Sequence, residues 1–320
     1  MHPALSVIFF TVISGTGYGL LFLLGAVLAF EPRLLSGNAA IAWLVLGTTF
    51  AAAGLLSSLL HLGQPQRAWR AFSQWRSSWL SREGVSATLS FVPMLALAWL
   101  EWRGVDAQPL RAWAVLLATF AVLTVACTAK IYATLKTIPA WHNAYVLPGY
   151  LLLGLLGGAA WMWILHIVDA SPVVATPILL AVLAVASAVF KYFYWRHIDA
   201  MPPAASAESA TGLGRFGAVG GVEAPHTEEN YLTREMGFVL ARKHAARLRA
   251  IALVLIGVLP TLLALLACMT QTRMLEALCA TIAVISVTLG LFVERWLFFA
   301  EARHVVMLYY AAKADTTQHA

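Results

Sequence analysis

The chain has 320 residues, of which 61% are hydrophobic and 11% charged, and its mean hydropathy is +0.78. Soluble domains carry roughly 25% charged residues, so too little charge is present to coat a water-facing surface, and a soluble globule, a disordered chain and a nucleic-acid binder are excluded. The net charge of +6 then belongs to loops at a membrane surface, where Lys and Arg set topology.

Eight stretches reach the length of about 20 apolar residues that a spanning helix needs. They are roughly Leu5–Phe30, Asn38–Leu62, Gly84–Leu100, Ala112–Ala129, Tyr145–Leu165, Pro172–Phe190, Ala250–Met269 and Ala277–Val293. No Lys or Arg precedes the first run, and it is longer than a signal-peptide core, so it reads as a retained span. The runs are continuously apolar rather than alternating, which argues for helices and against a transmembrane barrel. The expected fold is an all-α integral membrane protein: eight transmembrane helices in a bundle, with interfacial amphipathic segments, residues 1–320 forming a single polytopic domain.

Two connections are long. The first, His61–Glu83, interleaves Arg67, Arg70, Arg76 and Arg82 with Trp69, Phe72, Trp75 and Trp79. The spacing of these aromatics predicts a short helix lying in the interface, and an ordinary aromatic belt with snorkelling arginines accounts for most of them. The second runs from Tyr192 to Arg249. Met201–Gly221 is rich in Ala, Gly, Ser and Pro and reads as linker. Its Gly212, Gly214 and Gly217 spell GxGxxG, but no strand precedes them and no βαβ unit surrounds them, so the match is chance. The segment LTREMGFVLARKHAARLR (232–249) predicts a basic amphipathic helix, a topology anchor or a partner contact. Residues 201–249 thus form a linker and basic helix within the single domain.

Ionisable residues at a bilayer edge mark ion, proton or ligand paths, or snorkelling and ion-paired structural groups. His61 ends the second span and Glu83 begins the third, at one membrane face. Lys130 and Tyr132 close the fourth span there, and Glu294, Arg295, Glu301, Arg303 and His304 follow at the end of the eighth. A histidine and a carboxylate within reach of lipid suit a quinone. Its tail stays in hydrocarbon while its head exchanges protons near the surface; imidazole titrates in the useful range, and a carboxylate links that proton to water. None of the nine histidines lies mid-span, so no bis-histidine haem is expected. Cys127, Cys268 and Cys279 sit in apolar runs without a CxxC, so no disulfide framework, zinc site, cysteine-bound cluster or other metal is expected in this protein.

The sequence HLGQPQRAW (61–69), followed by WLSREGVSA (79–87), resembles the HLG-x-P-x-RA and LS-x-E signature of membrane anchor subunits of dimethyl sulfoxide reductase-type molybdoenzymes. IYATLKTIPAWHN (131–143), REMGFVLARKHA (234–245) and ERWLFFAEARHVVM (294–307) resemble further segments of that family. HPALSVIFFTVISGTGYG (2–19) is similar to the branch serving quinone-linked sulfite dehydrogenases. The resemblance implies an eight-helix anchor without haem or metal. It would bind an iron–sulfur electron-transfer subunit, which in turn binds a molybdopterin catalytic subunit. It also implies a quinone site, for ubiquinone or menaquinone, at His61 and Glu83. Position and chemistry add Arg67, Arg70, Trp79, Lys130 and Tyr132 to that site. Arg242, Lys243, Glu294, Arg295, Glu301 and His304 are expected to form docking surface.

Seventeen of the 21 lysines and arginines fall on the face that carries both long connections. By the positive-inside rule that face, with both termini, is cytoplasmic, and the expected location is a bacterial inner membrane. Partners beside the quinone site are then cytoplasmic too, which favours sulfite oxidation to sulfate. Alternatives are a quinol-oxidising anchor of a dimethyl sulfoxide- or polysulfide-type reductase, a structural anchor with no site, and a transporter.

Overall fold

Within a bilayer every backbone N–H and C=O must be satisfied internally, so each apolar run continues as helix until its flanking polar residues can meet water or one another. A computed structural model describes residues 4–35, 37–61, 64–104, 107–169, 176–202, 205–219 and 240–309. Among them eight helices are long and apolar enough to cross a membrane. These are α1 (Leu5–Phe30), α2 (Gly37–Ser57), α3 (Trp79–Arg103), α4 (Ala107–Ala133), α5 (Val146–Asp169) and α6 (Thr176–Asp199). The seventh, α7, joins Leu240–Leu253, a π-helical turn Val254–Val258 and Leu259–Met269, and α8 is Arg273–Ala300.

The sequence-based bounds differ at several helix ends, and those of α2, α3, α6 and α8 have a physical reason. α2 gives way after Ser57 to a 3₁₀ turn, Ser58–His61. α3 begins at Trp79 because the Ser78 hydroxyl caps it, accepting a hydrogen bond from the Ser81 amide at 3.5 Å; it stops at Gly104, whose φ of 62° lies in the left-handed region. α6 and α8 run past their apolar stretches because the charged residues they take in pair with each other inside the bundle.

α1 is the hub. It packs on α2, α4 and α5, and more lightly on α8. Its approach to α5 depends on Gly19 and Gly158, where a Cβ on either would run into the partner helix's main chain; in lipid, where burying apolar surface drives little association, close backbone packing of this kind supplies it. The helices thus form two four-helix halves, α1–α4 and α5–α8, joined where α1 and α4 meet α5 and where α1 meets α8. In α7, Pro260 brings no N–H to the helical ladder. The π-turn beside it is satisfied by side chains: Ser286 of α8 donates to the Leu255 carbonyl at 2.7 Å, and Thr261 of α7 itself donates to that of Gly257 at 2.7 Å.

The end of the bundle opposite His61 is pinned by side chains. Trp43 Nε1 donates to Asp169 at 2.7 Å, Arg273 to the Ile167 carbonyl at 2.6 Å, and Trp163 Nε1 to Glu276 at 3.3 Å. In the linker, Ser206 and Ser209 form a reciprocal capping box on the one-turn helix Ala207–Thr211. Gly212 and Gly217, at φ 68° and 134°, make the turns that end it and the following 3₁₀ turn. Backbone turning thus accounts for two of the three glycines of the GxGxxG match. Glu208, on the same turn, accepts from the Val219 amide, which lowers its pKa.

Candidate functional site

The connection after His61 is helical, as its aromatic spacing predicts, but it is a 3₁₀ helix, Pro65–Gln74, rather than α. It hangs from the start of α3. Ser81 donates to the Ala71 carbonyl, and Arg82 donates to the carbonyls of Trp75 (3.0 Å) and Arg76 (2.6 Å). The Phe72 ring packs over Gly84. These contacts hold the loop against the first turns of α3. Arg67 and Arg70 are exposed on it, and Arg70 lies over the Trp69 ring at 5.7 Å. Trp79 is half-buried beneath the Arg82 guanidinium, 4.3 Å from its ring centre.

His61 closes the 3₁₀ turn after α2, at the same bundle end as the first turns of α3; its side chain lies outside the described residues. Glu83 is described in full. It is 4% exposed, and its carboxylate accepts from the Thr128 hydroxyl of α4. Among the described residues no cation is paired with it. Below Glu83 the α1, α3 and α4 interface is lined with hydroxyls. Ser86 and Thr124 are 2.8 Å apart, and Tyr18 Oη and Ser90 Oγ are 3.2 Å apart. Glu83, Ser86 and Ser90 share one face of α3 at helical spacing. The sequence reading missed Thr128, Thr124, Ser86 and Tyr18, because single hydroxyls inside apolar runs look like ordinary helix residues until the opposite helix is known.

Lys130 is half-buried near the end of α4. Tyr132, expected beside it in the site, packs into an aromatic cage. Its ring stacks on Tyr150 at 5.9 Å and meets Trp141, Phe298 and Phe299 edge-on at 5.3–5.9 Å. Trp141 Nε1 donates to the Phe298 carbonyl at 2.9 Å, tying the α4–α5 connection to the end of α8.

Glu294 and Arg295, expected on a docking surface, are buried at 0% and 5% exposure. Arg295 donates to Glu294 through Nε at 2.5 Å and Nη2 at 3.0 Å, and Lys191 Nζ of α6 lies 2.6 Å from Glu294. Lys191, counted among the loop charges, is therefore inside the bundle. Two aromatic pairs flank the cations: Tyr194 and Trp195 beside Lys191 at 3.8 and 5.0 Å, Tyr150 and Phe298 beside Arg295 at 4.3 and 4.8 Å. Charge compensation and cation–π contact make the burial tolerable. The adjacency of the KYFYW stretch (191–195) to an apolar run was the available signal.

Nearer the surface, Arg249 of α7 binds Asp199 (2.6 and 3.0 Å) and Glu301 (2.9 Å). Burial raises the pKa of Glu301, against the lowering effect of Arg249. His304 is half-buried, and its Nδ1 accepts from the Val306 amide at 3.1 Å. The side chains of Arg242 and Lys243 lie outside the described residues. So does the 232–239 part of the basic helix; the rest forms the start of α7.

The sequence profile of the DMSO reductase anchor subunit family matches residues 1–300. The chain belongs to that family. Among curated proteins, this anchor subunit is 32% identical to a sulfite dehydrogenase subunit of Allochromatium vinosum, across 98% of this sequence and 100% of that one. It is 28% identical to a subunit of the anaerobic dimethyl sulfoxide reductase of Escherichia coli, over 36% of this sequence and 39% of that one. The YnfH polypeptide of an anaerobic dimethyl sulfoxide reductase from the same organism is 31% identical over the same shares. The protein is a multi-pass membrane anchor subunit of a DMSO reductase-type complex.

Proposed function

We propose that this anchor subunit performs the quinone half-reaction of its complex, at a site formed by His61 and Glu83. His61 donates a hydrogen bond to a quinone carbonyl oxygen and passes it a proton, and Glu83 exchanges that proton with water. The observation that carries this reading is Glu83: a carboxylate taken into a membrane helix, with a hydroxyl donor from α4 and no cation paired with it among the described residues. Such groups are costly in a membrane and are kept where a proton must move. The residues present fit a quinone head. The carboxylate and the hydroxyls beside it supply polar contacts, and the cationic loop with Arg67, Arg70 and Trp79 lies against the start of α3. Lys130 and Tyr132 bound the site on the α4 side.

The quinone, ubiquinone or menaquinone, would accept or supply electrons, and an iron–sulfur subunit docked on the same face would exchange them with a molybdopterin subunit. Identity along nearly the whole sequence to a sulfite dehydrogenase subunit supports sulfite as the substrate of that partner. The charge asymmetry of the loops supports a cytoplasmic location for that face and both termini, in a bacterial inner membrane. The Lys191–Glu294–Arg295 cluster is internal, so docking falls to the exposed loop arginines, to Arg242 and Lys243 and to the Glu301–His304 segment. Residues 1–320 act as one domain, with 201–249 as the cytoplasmic linker and basic helix.

Replacing His61 with Ala, or Glu83 with Gln, in the assembled complex is expected to abolish quinone-linked turnover. Subunit assembly and dye-linked substrate oxidation should remain. Wild-type quinone kinetics in both variants would refute the site.

A further inference from the structure

A group that exchanges protons inside a membrane must be satisfied both with and without its proton. A carboxylate only accepts hydrogen bonds, whereas a protonated carboxyl also donates one. Left buried and unpaired, either form is penalised, the charged one more. Glu83 is buried in the α3–α4 interface. Arg82, beside it in sequence, is held by the Trp75 and Arg76 carbonyls. Lys130 of α4 stands two residues from Thr128, and so on another side of that helix. The partner that the carboxyl does have is the Thr128 hydroxyl.

Thr128 differs from the hydroxyls below it. Tyr18 lies against both Ser90 and Thr124. Ser90 and Thr124 donate to the carbonyls of Ala87 and Phe120, at 2.7 and 2.8 Å, and are left as acceptors. Tyr18 and Ser86 therefore donate to them, and every hydrogen in this deeper set runs towards a main-chain carbonyl. Thr128 Oγ1 instead reaches two acceptors with one hydrogen to give: the Glu83 carboxylate and the Thr124 carbonyl at 3.1 Å. A hydroxyl has one donor and two lone pairs, and it rotates. Its hydrogen can go to Glu83 while Glu83 is ionised, and to the Thr124 carbonyl once Glu83 has a hydrogen of its own.

We infer that Thr128 is a positioning residue with two settings, donating to the ionised Glu83 and, when Glu83 is protonated, accepting its O–H while turning to the Thr124 carbonyl. Glu83 alone gains or loses a proton; Thr128 ends each exchange with the hydrogen it began with. The carboxyl therefore changes charge at a fixed place in the bundle, with a hydrogen-bond partner in both forms. A role for this switch in turnover rests on the proton exchange proposed for Glu83. The pairing itself rests on the α3–α4 geometry.

The test uses the full-length protein in lipid nanodiscs and infrared spectra recorded across a pH titration, in which protonated Glu83 is the acid C=O band that Glu83→Gln removes. Thr128→Val keeps the side chain's shape and loses the hydroxyl. In it the band should move to higher wavenumber, as for a carboxyl O–H without an acceptor, and Thr128→Ser should return it. Ser90→Ala removes a hydroxyl from the same face of α3, two turns deeper, and should leave the band in place. In the assembled complex Thr128→Val should lower quinone-linked kcat about tenfold, the lower end of the worth of a hydrogen bond to a charged group. Thr128→Ser should restore it, and dye-linked substrate oxidation should be unchanged throughout. If Thr128→Val does not accumulate, Thr128→Ala gives the same two readings. An unmoved acid band in the variant without the hydroxyl would overturn the switch. So would an equal loss of kcat in Thr128→Ser and Thr128→Val, which would leave Thr128 a packing residue. A moved band together with wild-type turnover in Glu83→Gln would keep the pairing and remove the quinone reading.

Discussion

Substituting the members of the buried charge cluster should give unequal costs. Glu294 is the common partner: Lys191 Nζ lies 2.6 Å away and Arg295 Nε 2.5 Å. At an effective dielectric of 20, each contact is worth about 6 kcal/mol of gross attraction, set against several kcal/mol of desolvation for each ion. Glu294→Gln removes both attractions at once and leaves two cations in a low-dielectric interior, so the loss should reach or exceed the roughly 3–5 kcal/mol seen when one partner of a buried pair is removed. Lys191→Met removes one cation together with its own desolvation cost and leaves Glu294 and Arg295 as a neutral pair held by two hydrogen bonds. That exchange of a buried ion for an apolar side chain of similar length should be near neutral, within about 1–2 kcal/mol. The assay is thermal unfolding of the purified protein in nanodiscs, followed by fluorescence-detected size exclusion. Glu294→Gln should melt far below the wild type or fail to accumulate, while Lys191→Met stays close to it. Equal losses in the two variants, or a milder loss in Glu294→Gln, would refute the assignment of Glu294 as the shared counter-charge.

Gly158→Leu should prevent accumulation of folded protein, because its side chain meets the α1 main chain at Gly19 and Leu20 rather than a side chain that can turn aside; Gly84→Ala, whose Cβ would meet only the Phe72 ring at an ordinary distance of 3.5 Å, should be tolerated, and both are read from membrane yield. A reporter fused after Ala320 should fluoresce if it is a cytoplasm-only protein and stay inactive if it is alkaline phosphatase; the opposite pattern would reverse the proposed orientation and move the partner subunits to the other side of the membrane.

What could be read in the sequence follows from which forces act locally. Apolar length alone fixes a spanning helix, so all eight were legible, as was a helical loop with Trp69, Phe72 and Trp75 at regular spacing. The ends were less so. α6 continues through Lys191 and Arg196, and α8 through Glu294 and Arg295, because the cost of a charge in a helix depends on the charge on the facing helix. For the same reason Glu294 and Arg295 read as surface when they are core. Glu83 was legible as a carboxylate at a span end beside a distinctive motif. Its donor Thr128 was not, since nothing local distinguishes that threonine from Thr119, which faces outward.

The described polar groups divide the bundle unevenly. Glu83 with Thr128, Ser86 with Thr124, and the Lys191–Glu294–Arg295 cluster all lie toward the end that carries His61. Tyr18 with Ser90 is the deepest of the hydroxyl pairs. Toward the other end the described ionisable groups sit at the helix tips, where Trp43 meets Asp169 and Trp163 meets Glu276. A protein that carried protons through the membrane would need polar groups along the whole path; this arrangement brings them in from one side and stops. If electrons also enter on that side, from a partner docked beside the loop, then both charges of the quinone reaction come from the same compartment and no net charge crosses the bilayer. On the proposed quinone reading the fold would serve the reaction in two ways: it holds the Glu83 carboxylate at lipid depth, and it keeps the apolar half of the bundle as insulation behind it.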